Sequence, residues 1–396
     1  MTRHRGTLRG GLTGTARLLA ASVVALVVIG TPMRAQNLVE RWSMVPDSAA
    51  AFVAPRSIVV TADCAVWFSD PQTGVWRAPC SGGTPSMIGA IGEDPGQYRQ
   101  PWLLTLVPGD SGVAAWDREL YRLSLFTSGG AFVRSRGLLV PEARVGRVLA
   151  MSRPANDGSV RLWTVQMPTV ADRVAQRAYV LSARTDGSVR DSLLVMRAPT
   201  SIAYDAPFGF GAFDAPLARR PFVAFAPDGG FVAGNSDNDR LDVYDAAGKL
   251  RGSLQLPLPA ALPVTRADRD AYADSVKRAV DREMTSQNVE DSLRVQFRPQ
   301  LDTLLRTVAF PTTMQRYDQL ILDDRAATVW LLLPARGVSY ARTWFVCALA
   351  EPVACRTVSV QHQGAVVAAT LRDGALYTIE QTLDGARRIA KYGPPE

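Results

Sequence analysis

Histidine is scarce in this sequence, and its scarcity limits the catalytic chemistry that the chain can perform. Of the two histidines, only His362 lies beyond the amino-terminal segment. A serine nucleophile activated by histidine is usually carried on a Gly-x-Ser-x-Gly turn, and the sequence contains no such motif. His362 lies at the start of a predicted strand, and we interpret it as a structural residue.

The triplet Asp110-Ser111-Gly112 matches the sequence around the catalytic aspartate of aspartic proteases. Those enzymes need two carboxylates that share a proton, and the sequence has no second Asp-Ser-Gly or Asp-Thr-Gly. Asp110 also falls on a turn position that recurs along the chain. The pattern therefore favours a turn residue over a catalytic one.

Asn235, Asp237 and Asp239 alternate along one predicted hairpin loop, with Asp242 just beyond. Oxygen-rich loops of this kind can hold Ca²⁺. The glycine and the distal bidentate glutamate of a calcium loop are absent, so a solvated loop is the favoured interpretation. We assign no metal-binding or catalytic residue and expect no cofactor, although the sequence leaves open a divalent metal held by side chains from separate parts of the chain.

The four cysteines are expected to form two local disulfides, because the chain carries an export signal and disulfides persist outside the cytoplasm. We predict the pairs Cys64 with Cys80 and Cys347 with Cys355, since each pair lies within one candidate hairpin. A zinc site is the alternative, but the sequence has no Cys-x-x-Cys and one histidine to offer.

Aromatic residues are concentrated in residues 198–220, beside several glycines. We predict a binding surface made of Tyr204, Phe208, Phe210 and Phe213. Aromatic side chains next to glycine in a loop can bind carbohydrate or peptide, whereas packing that seals a long loop is the alternative.

Residues 1–35 have the features of a secretory signal peptide, with several arginines, no acidic residue, an apolar run over residues 18–29 and Ala35 at the expected cut. We expect the mature chain to be periplasmic or extracellular, without a transmembrane segment. Removing five arginines leaves 39 basic and 37 acidic residues. Nucleic-acid binding is therefore not expected, since no basic cluster interleaved with aromatic residues remains.

Asp residues followed three positions later by an apolar strand former recur along the chain, and the first intervals are 47 residues long. They begin at Asp63, Asp110 and Asp157. Short alternating strands separated by Asp-Gly and Gly-Gly turns fill each interval, which is typical of propeller blades. We predict one all-β domain over residues 36–396, a six-bladed propeller of four-stranded blades, in which residues 38–45 supply the outer strand of the last blade.

Helical spacing replaces the strand pattern in residues 264–308, between the fourth and fifth predicted blades. Thr265 and Asp268 are placed as a capping pair, and Pro299 should kink or divide the second helix. A hairpin packed on one face of the propeller and a lid or partner-docking element over the central channel are the two interpretations of this insertion.

Residues 89–98, Gly-Ala-Ile-Gly-Glu-Asp-Pro-Gly-Gln-Tyr, resemble the Gly-rich link between blades of bacterial six-bladed propellers related to the NHL-repeat group. The chain resembles exported, uncharacterised members of that group over most of its length. The resemblance implies the fold. It implies no single activity, because the group includes binding modules as well as several enzymes. Some six-bladed propeller enzymes hydrolyse lactones or phosphoesters with acidic residues and asparagine at the central channel around a divalent metal.

We therefore expect an exported, monomeric, noncatalytic propeller that binds a protein, peptide or glycan partner. The alternative is a metal-dependent hydrolase of a lactone or phosphoester. A carboxylate cluster at the channel mouth would favour the hydrolase, whereas apolar or arginine side chains there would favour binding.

Overall fold

Short antiparallel strands make up most of the chain. The computed structural model describes residues 36–46, 52–140, 142, 146–169, 177–184, 186–199, 201–206, 209–217, 219–323, 325, 327–336, 340–350 and 352–395. After a separate first strand, β1 (Gln36–Met44), most strands follow one another in antiparallel groups of four, although the last group has three consecutive strands and two short two-stranded sheets lie between groups.

The first half of the chain contains three of these groups. Group I consists of β2 (Ser57–Val60), β3 (Ala65–Asp70), β4 (Gly74–Pro79) and β5 (Ser86–Ile88). A short parallel pair, β6 (Ala90–Ile91) and β7 (Gln97–Tyr98), follows it within the Gly-rich link. Group II consists of β8 (Pro101–Leu106), β9 (Gly112–Asp117), β10 (Arg122–Thr127) and β11 (Phe132–Gly137). Group III consists of β12 (Arg147–Met151), β13 (Val160–Val165), β14 (Arg177–Ala183) and β15 (Val189–Arg197).

The second half contains the remaining groups and two insertions. A hairpin of β16 (Ser201–Ala206) and β17 (Gly209–Asp214) precedes group IV, which consists of β18 (Pro221–Phe225), β19 (Phe231–Asn235), β20 (Arg240–Tyr244) and β21 (Leu250–Gln255). The helices α1 (Arg266–Ser286) and α2 (Asp291–Thr307) come next. Group V consists of β22 (Gln319–Asp323), β23 (Thr328–Leu332), β24 (Ala341–Ala348) and β25 (Cys355–Gln361). Group VI consists of β26 (Ala365–Arg372), β27 (Ala375–Gln381) and β28 (Arg387–Gly393).

Strand β1 supplies the fourth strand of group VI. It pairs antiparallel with β28, with Met44 opposite Ile389 and Val39 opposite Gly393. It also pairs parallel with β25, which joins groups V and VI into one eight-stranded sheet. The prediction that residues 38–45 form the outer strand of the last group is confirmed.

The groups are arranged in a ring. The first strand of each group contacts the first strand of the next, and β26 returns to contact β2. Separate clusters of buried apolar side chains lie between neighbouring groups rather than in one central core. Sheets packed face to face around a central channel define a β-propeller, so the predicted all-β propeller fold is confirmed.

Burial on both faces of each sheet explains why the second strands lack polar alternation. In β3, with the sequence AVWFSD, and in β9, with GVAAWD, every residue is buried. Phe52, Phe68 and Trp76 fill the space between groups VI and I, with the rings of Phe52 and Phe68 5.2 Å apart in an edge-to-face arrangement. Strands covered on two sides become continuous apolar runs.

Both predicted disulfides are present. Cys64 is bonded to Cys80 across β3 and β4, and the Cα atoms are 5.2 Å apart. Cys347 is bonded to Cys355 across β24 and β25, where the two residues are direct cross-strand partners. Each disulfide therefore fastens the strands of one group and does not link different groups.

The two helices occupy the segment with helical spacing. Thr265 and Asp268 form a capping box at the start of α1, as the sequence predicts. Pro299 does not divide the second helix, because α2 continues through it. A proline removes its own amide donor and crowds the preceding turn, but the apolar side of α2, with Phe297, Leu301 and Leu305 buried, holds the helix in place. Neither helix, nor any other in the described part of the chain, is long and apolar enough to cross a membrane.

Candidate ligand-binding site

The β16–β17 hairpin and the two helices share an apolar core. Val276, Val280 and Met284 of α1 pack with the buried side of α2 and with aromatic residues of the hairpin. The ring of Tyr204 lies 5.5 Å from that of Phe213 and 5.8 Å from that of Phe297. We call the hairpin and the two helices together the cover.

A cavity of about 610 Å³ lies within the cover, between the hairpin and α1. Tyr204, Phe210 and Phe213 line it, together with Tyr272 and Ala279 of α1. Phe208, the fourth aromatic residue predicted for the binding surface, lies outside the described residues. The structure therefore brings three of the predicted residues to one cavity. Tyr204 and Phe213 also pack against the helices, which is the alternative role that the sequence left open.

Polar groups lie along one side of this cavity. The Tyr272 hydroxyl donates to the Asp214 carbonyl at 2.7 Å, and the Arg220 guanidinium is 2.8 Å from the Asp214 carboxylate. Burial, helped by the Asp214 charge, raises the pKa of Tyr272 above its usual range, so its hydroxyl remains a donor at neutral pH. On α1, the Gln287 amide donates to the Glu283 carboxylate at 2.6 Å.

The cavity adjoins the central channel of the propeller. Arg220 and Gln315 line both spaces. The channel has a volume of about 680 Å³, and its walls come from the first strands of the groups, with apolar side chains such as Val59, Leu104 and Met151. Its other charged residues are Asp318 and Arg342, which are paired with each other. Most of the residues that line the channel are therefore apolar.

Helix α1 lies across the end of the channel where the first strands begin. Glu283 lines a cavity of about 1030 Å³ together with Trp102 and Arg147 of groups II and III. Arg278 lines a cavity of about 340 Å³ on the side of groups V and VI, with Tyr340 and Gln381 among its walls. We call this end of the channel the covered end.

Three arginines surround one indole ring at the covered end. The guanidinium carbons of Arg56, Arg118 and Arg147 lie 3.7, 4.9 and 5.0 Å from the centroid of Trp102. Arg118 is ion-paired with Glu142, with nitrogen and oxygen 2.6 Å apart. Arg56 and Arg147 make no ion pair with any carboxylate in the described ranges. We call Trp102 and these arginines the arginine cluster.

The opposite end of the channel contains arginines in a different environment. Asp110, at the turn that ends β8, is 7% exposed and pairs with Arg153 at 2.6 Å and with Arg372. Arg325 is 3.7 Å from the same carboxylate and also pairs with Asp373. We call this the sealed end. Asp110 is a turn residue with positive φ, as its recurring position predicts, and it also joins groups II, III, V and VI electrostatically.

The predicted oxygen-rich loop is occupied by ion pairs. Asp237 is 3.0 Å from Arg219, Asp239 is 2.7 Å from Arg316, and Asp242 is 2.8 Å from Arg240. Among the residues that the structure describes, no group of three or more His, Cys, Asp or Glu side chains is arranged to hold a metal ion.

His362 lies inside the sheet of groups V and VI, where it is fully buried. Its Nδ1 is 2.7 Å from the Glu380 carboxylate, which also accepts from the Tyr392 hydroxyl at 2.6 Å. Burial raises the pKa of Glu380, but the interactions with His362, Tyr392 and the Gln363 amide together outweigh this effect and leave the pKa below its usual value. This network is enclosed in the sheet, as expected of a structural histidine.

The arginine cluster was not among the sequence predictions. Its members belong to different groups and are separated by irregular intervals along the chain. One signal was available, since Arg56, Arg147 and Arg220 each stand immediately before, or at, the first residue of a group's first strand. That position recurs at one end of the channel.

No protein-family profile and no curated protein matches the sequence. Several solved structures resemble the fold. A member of the DUF4221 family from Bacteroides vulgatus has a TM-score of 0.48 and 11% identity over 91% of this chain and 98% of its own. A putative exported protein from Bacteroides fragilis has a TM-score of 0.45 and 8% identity over 92% and 100% of the two chains. A streptogramin B lyase has a TM-score of 0.41 and 10% identity over 89% and 98%.

Proposed function

We propose that the protein is an exported six-bladed propeller of the NHL-like kind, cleaved after residue 35 and active as a monomer in the periplasm or outside the cell. The blade count is supported by the closed cycle of first strands, β2, β8, β12, β18, β22 and β26. Export is supported by the signal-like sequence of residues 1–35 and by the two disulfides.

We propose further that the protein is noncatalytic and binds a protein, peptide or glycan partner through the cavity in the cover. One observation carries this proposal: aromatic side chains of the β16–β17 hairpin and of α1 meet around a cavity of about 610 Å³. Concave sites that combine aromatic walls with a few polar groups are typical of ligand binding. The cavity is large enough for a peptide side chain or sugar unit projecting from a larger partner.

The walls of this cavity suit such a ligand chemically. Tyr204, Phe210 and Tyr272 give the cavity aromatic walls, and sugar C–H groups and apolar side chains pack well against such walls. Arg220, Glu283 and Gln287 line the same cavity and offer polar groups that orient a ligand. The cover stands on the rigid ring of sheets, which is how loops that carry function are usually positioned.

Peptide and glycan arrays test this proposal with a variant that fills the cavity. Ala279 is exposed on α1 and lines the cavity, so Ala279→Trp fills the space without replacing a buried side chain. Ala267 is exposed on the same helix, on the side opposite Val276, and Ala267→Trp is the matched control. We expect array ligands of the unmodified protein to bind the Ala279→Trp variant at least about tenfold more weakly, which corresponds to about 1.4 kcal/mol, and to bind Ala267→Trp normally. Equal binding by both variants, or no array ligand at all, would overturn the proposal.

The alternative, a metal-dependent hydrolase, requires carboxylates at the mouth of the channel. The covered end offers mainly arginine and aromatic side chains, and the acidic groups there already have partners: Glu142, Asp318 and Asp214 are paired with arginines, and Glu283 accepts from the Gln287 amide. We therefore expect Ca²⁺, Mg²⁺, Mn²⁺ and Zn²⁺ each to leave the thermal midpoint of the chelator-treated protein unchanged. A specific rise of several degrees with one cation would favour the hydrolase, because a metal bound to the folded state stabilises it.

A further inference from the structure

The arginine cluster concentrates positive charge on one buried ring. Trp102 is 8% exposed, and three guanidinium groups lie within 5.0 Å of its centroid. Stacking on an indole face satisfies the flat side of a guanidinium and leaves its edge, which carries the N–H donors, available for a planar acceptor. The cluster therefore presents donor groups, and the question is what accepts from them.

The protein itself supplies only part of the required negative charge. The Glu142 carboxylate is already paired with Arg118, whose Nε and one terminal nitrogen both contact it. Arg147 has a buried Nε that lacks a hydrogen-bond partner, and Arg56 has a cation–π contact but no ion pair with a described residue. Unpaired buried donors are rare in folded proteins and call for an explanation.

The positive charges of the clustered arginines repel one another. Burial, followed by the neighbouring charges of Arg147, Arg387 and Arg118, lowers the pKa of Arg56 to about 9. Arg56 still carries its charge at neutral pH. An anion between these side chains would relieve the repulsion and satisfy the free donors, because guanidinium edges match the oxygens of carboxylate and phosphate groups.

The cavity beside the cluster has room for such an anion. It measures about 1030 Å³, and Trp102, Arg118 and Arg147 are among its walls. Glu283 of α1 lines both this cavity and the aromatic cavity of the cover. A ligand held in the aromatic cavity can therefore extend one end toward the cluster.

We propose that Arg147, with Arg56 beside it, binds an oxyanion group, a carboxylate or a phosphate, of the ligand that occupies the cover. This inference rests on the proposed binding function and adds the chemistry of one end of the ligand. Arg118 and Glu142 act as a positioning pair, which holds the cluster together without supplying free charge.

Thermal unfolding in the presence of simple anions tests this inference. The probes are inorganic phosphate and acetate, with chloride at equal ionic strength as the reference. We expect phosphate, acetate or both to raise the midpoint by about 2 °C or more, since an anion that binds only the folded state stabilises it. A rise with phosphate alone would indicate a phosphate-bearing ligand, and a rise with acetate alone would indicate a carboxylate-bearing one.

Variants separate specific binding from the general effect of salts on proteins. Arg147→Gln is expected to abolish the rise and to leave the midpoint in chloride equal to, or above, that of the unmodified protein, because repulsion is relieved. Arg56→Gln should reduce the rise and serves as a second variant if Arg147→Gln does not fold. Arg278→Gln removes the same charge from α1 at the cavity near Tyr340 and should keep the full rise.

The outcomes are distinct from those of the array experiment. The inference is overturned if phosphate and acetate act like chloride, or if Arg147→Gln and Arg278→Gln respond equally. If the anion effect depends on Arg147 but no array ligand binds, the anion site is supported and the proposed binding of a protein, peptide or glycan partner is contradicted. If array ligands bind but no anion effect is found, the proposed function is supported and the anion site is contradicted.

Discussion

The two ends of the propeller channel both gather arginines from several groups of strands, but they neutralise them differently. At the sealed end, Asp110 is the shared partner of Arg153, Arg325 and Arg372. At the covered end, Arg56 and Arg147 meet an indole ring instead of a carboxylate. Charge that is compensated within the protein holds a structure together, whereas charge left uncompensated beside a cavity is available to a ligand.

The largest effect is expected from the sealed end. Asp110→Asn removes the carboxylate but keeps a residue that tolerates the positive φ of this turn. Three arginines then lose their common partner, and breaking a buried ion pair in this way costs about 3–5 kcal/mol of unfolding free energy. Urea denaturation measures the loss. Asp157→Asn, at the corresponding exposed turn of group III, is the matched control and should cost less than about 1 kcal/mol. Equal losses for the two variants would mean that Asp110 is only a turn residue.

An intermediate effect is expected from Glu142, the carboxylate that is ion-paired with the arginine cluster. Glu142→Gln breaks a charge-assisted bond to Arg118, so we expect a loss of about 1–3 kcal/mol in unfolding free energy. The same change makes the cluster more positive, and the rise of the thermal midpoint with phosphate should therefore exceed that of the unmodified protein. Glu119→Gln, which removes an exposed partner of Arg99, should alter neither quantity. A smaller phosphate response in Glu142→Gln would contradict the distinction between the two ends.

The smallest effect is expected from Arg56 itself, and it depends on pH. Because the pKa of Arg56 in the folded protein is lowered to about 9, the unfolded chain binds more protons above that pH, and stability rises as Arg56 loses its charge. Arg56→Gln should therefore be more stable than the unmodified protein at pH 7 by about 0.5–1 kcal/mol. The charged neighbours of Arg56 are Arg147, Arg387, Arg118 and Glu142.

Urea denaturation of both proteins at about pH 7, 8 and 10.5 measures this difference. We expect the advantage of Arg56→Gln to shrink as the pH rises through 9. An advantage that is constant with pH would contradict its origin in the charge of Arg56. A variant that is less stable at pH 7 would show that Arg56 has a stabilising role like that of the arginines at the sealed end.

The sequence predicts features whose residues are close together along the chain. Both disulfides, the capping pair at Thr265 and the aromatic segment of residues 198–220 depend on residues that are close together along the chain, and the disulfides span 8 and 16 residues. The closing strand could also be anticipated, since a ring of repeats that ends one strand short needs a strand from elsewhere. Local spacing and repeat counting together were sufficient for the propeller fold.

The two ends of the channel could not be predicted in the same way. Asp110 is separated from Arg372 by 262 residues, and the turn pattern that identifies Asp110 contains no information about its partners. Trp102 and Arg147 meet because neighbouring groups pack, and that contact depends on where each strand begins. The role of α1 across the covered end was one of two interpretations, because helical spacing reveals a buried side without revealing what covers it.

The position of β1 has a consequence for how the protein assembles. The Arg41 side chain donates to the carbonyl of Pro394, 353 residues later. Strand β1 can therefore complete its contacts only after the last strands of the ring have been synthesised. Until it docks, β25 and β28 both present unpaired edges, which can capture strands of other molecules. A bulky fusion placed directly before Gln36 should hinder this last step and favour association between incomplete rings, whereas a fusion at the opposite terminus should be tolerated better.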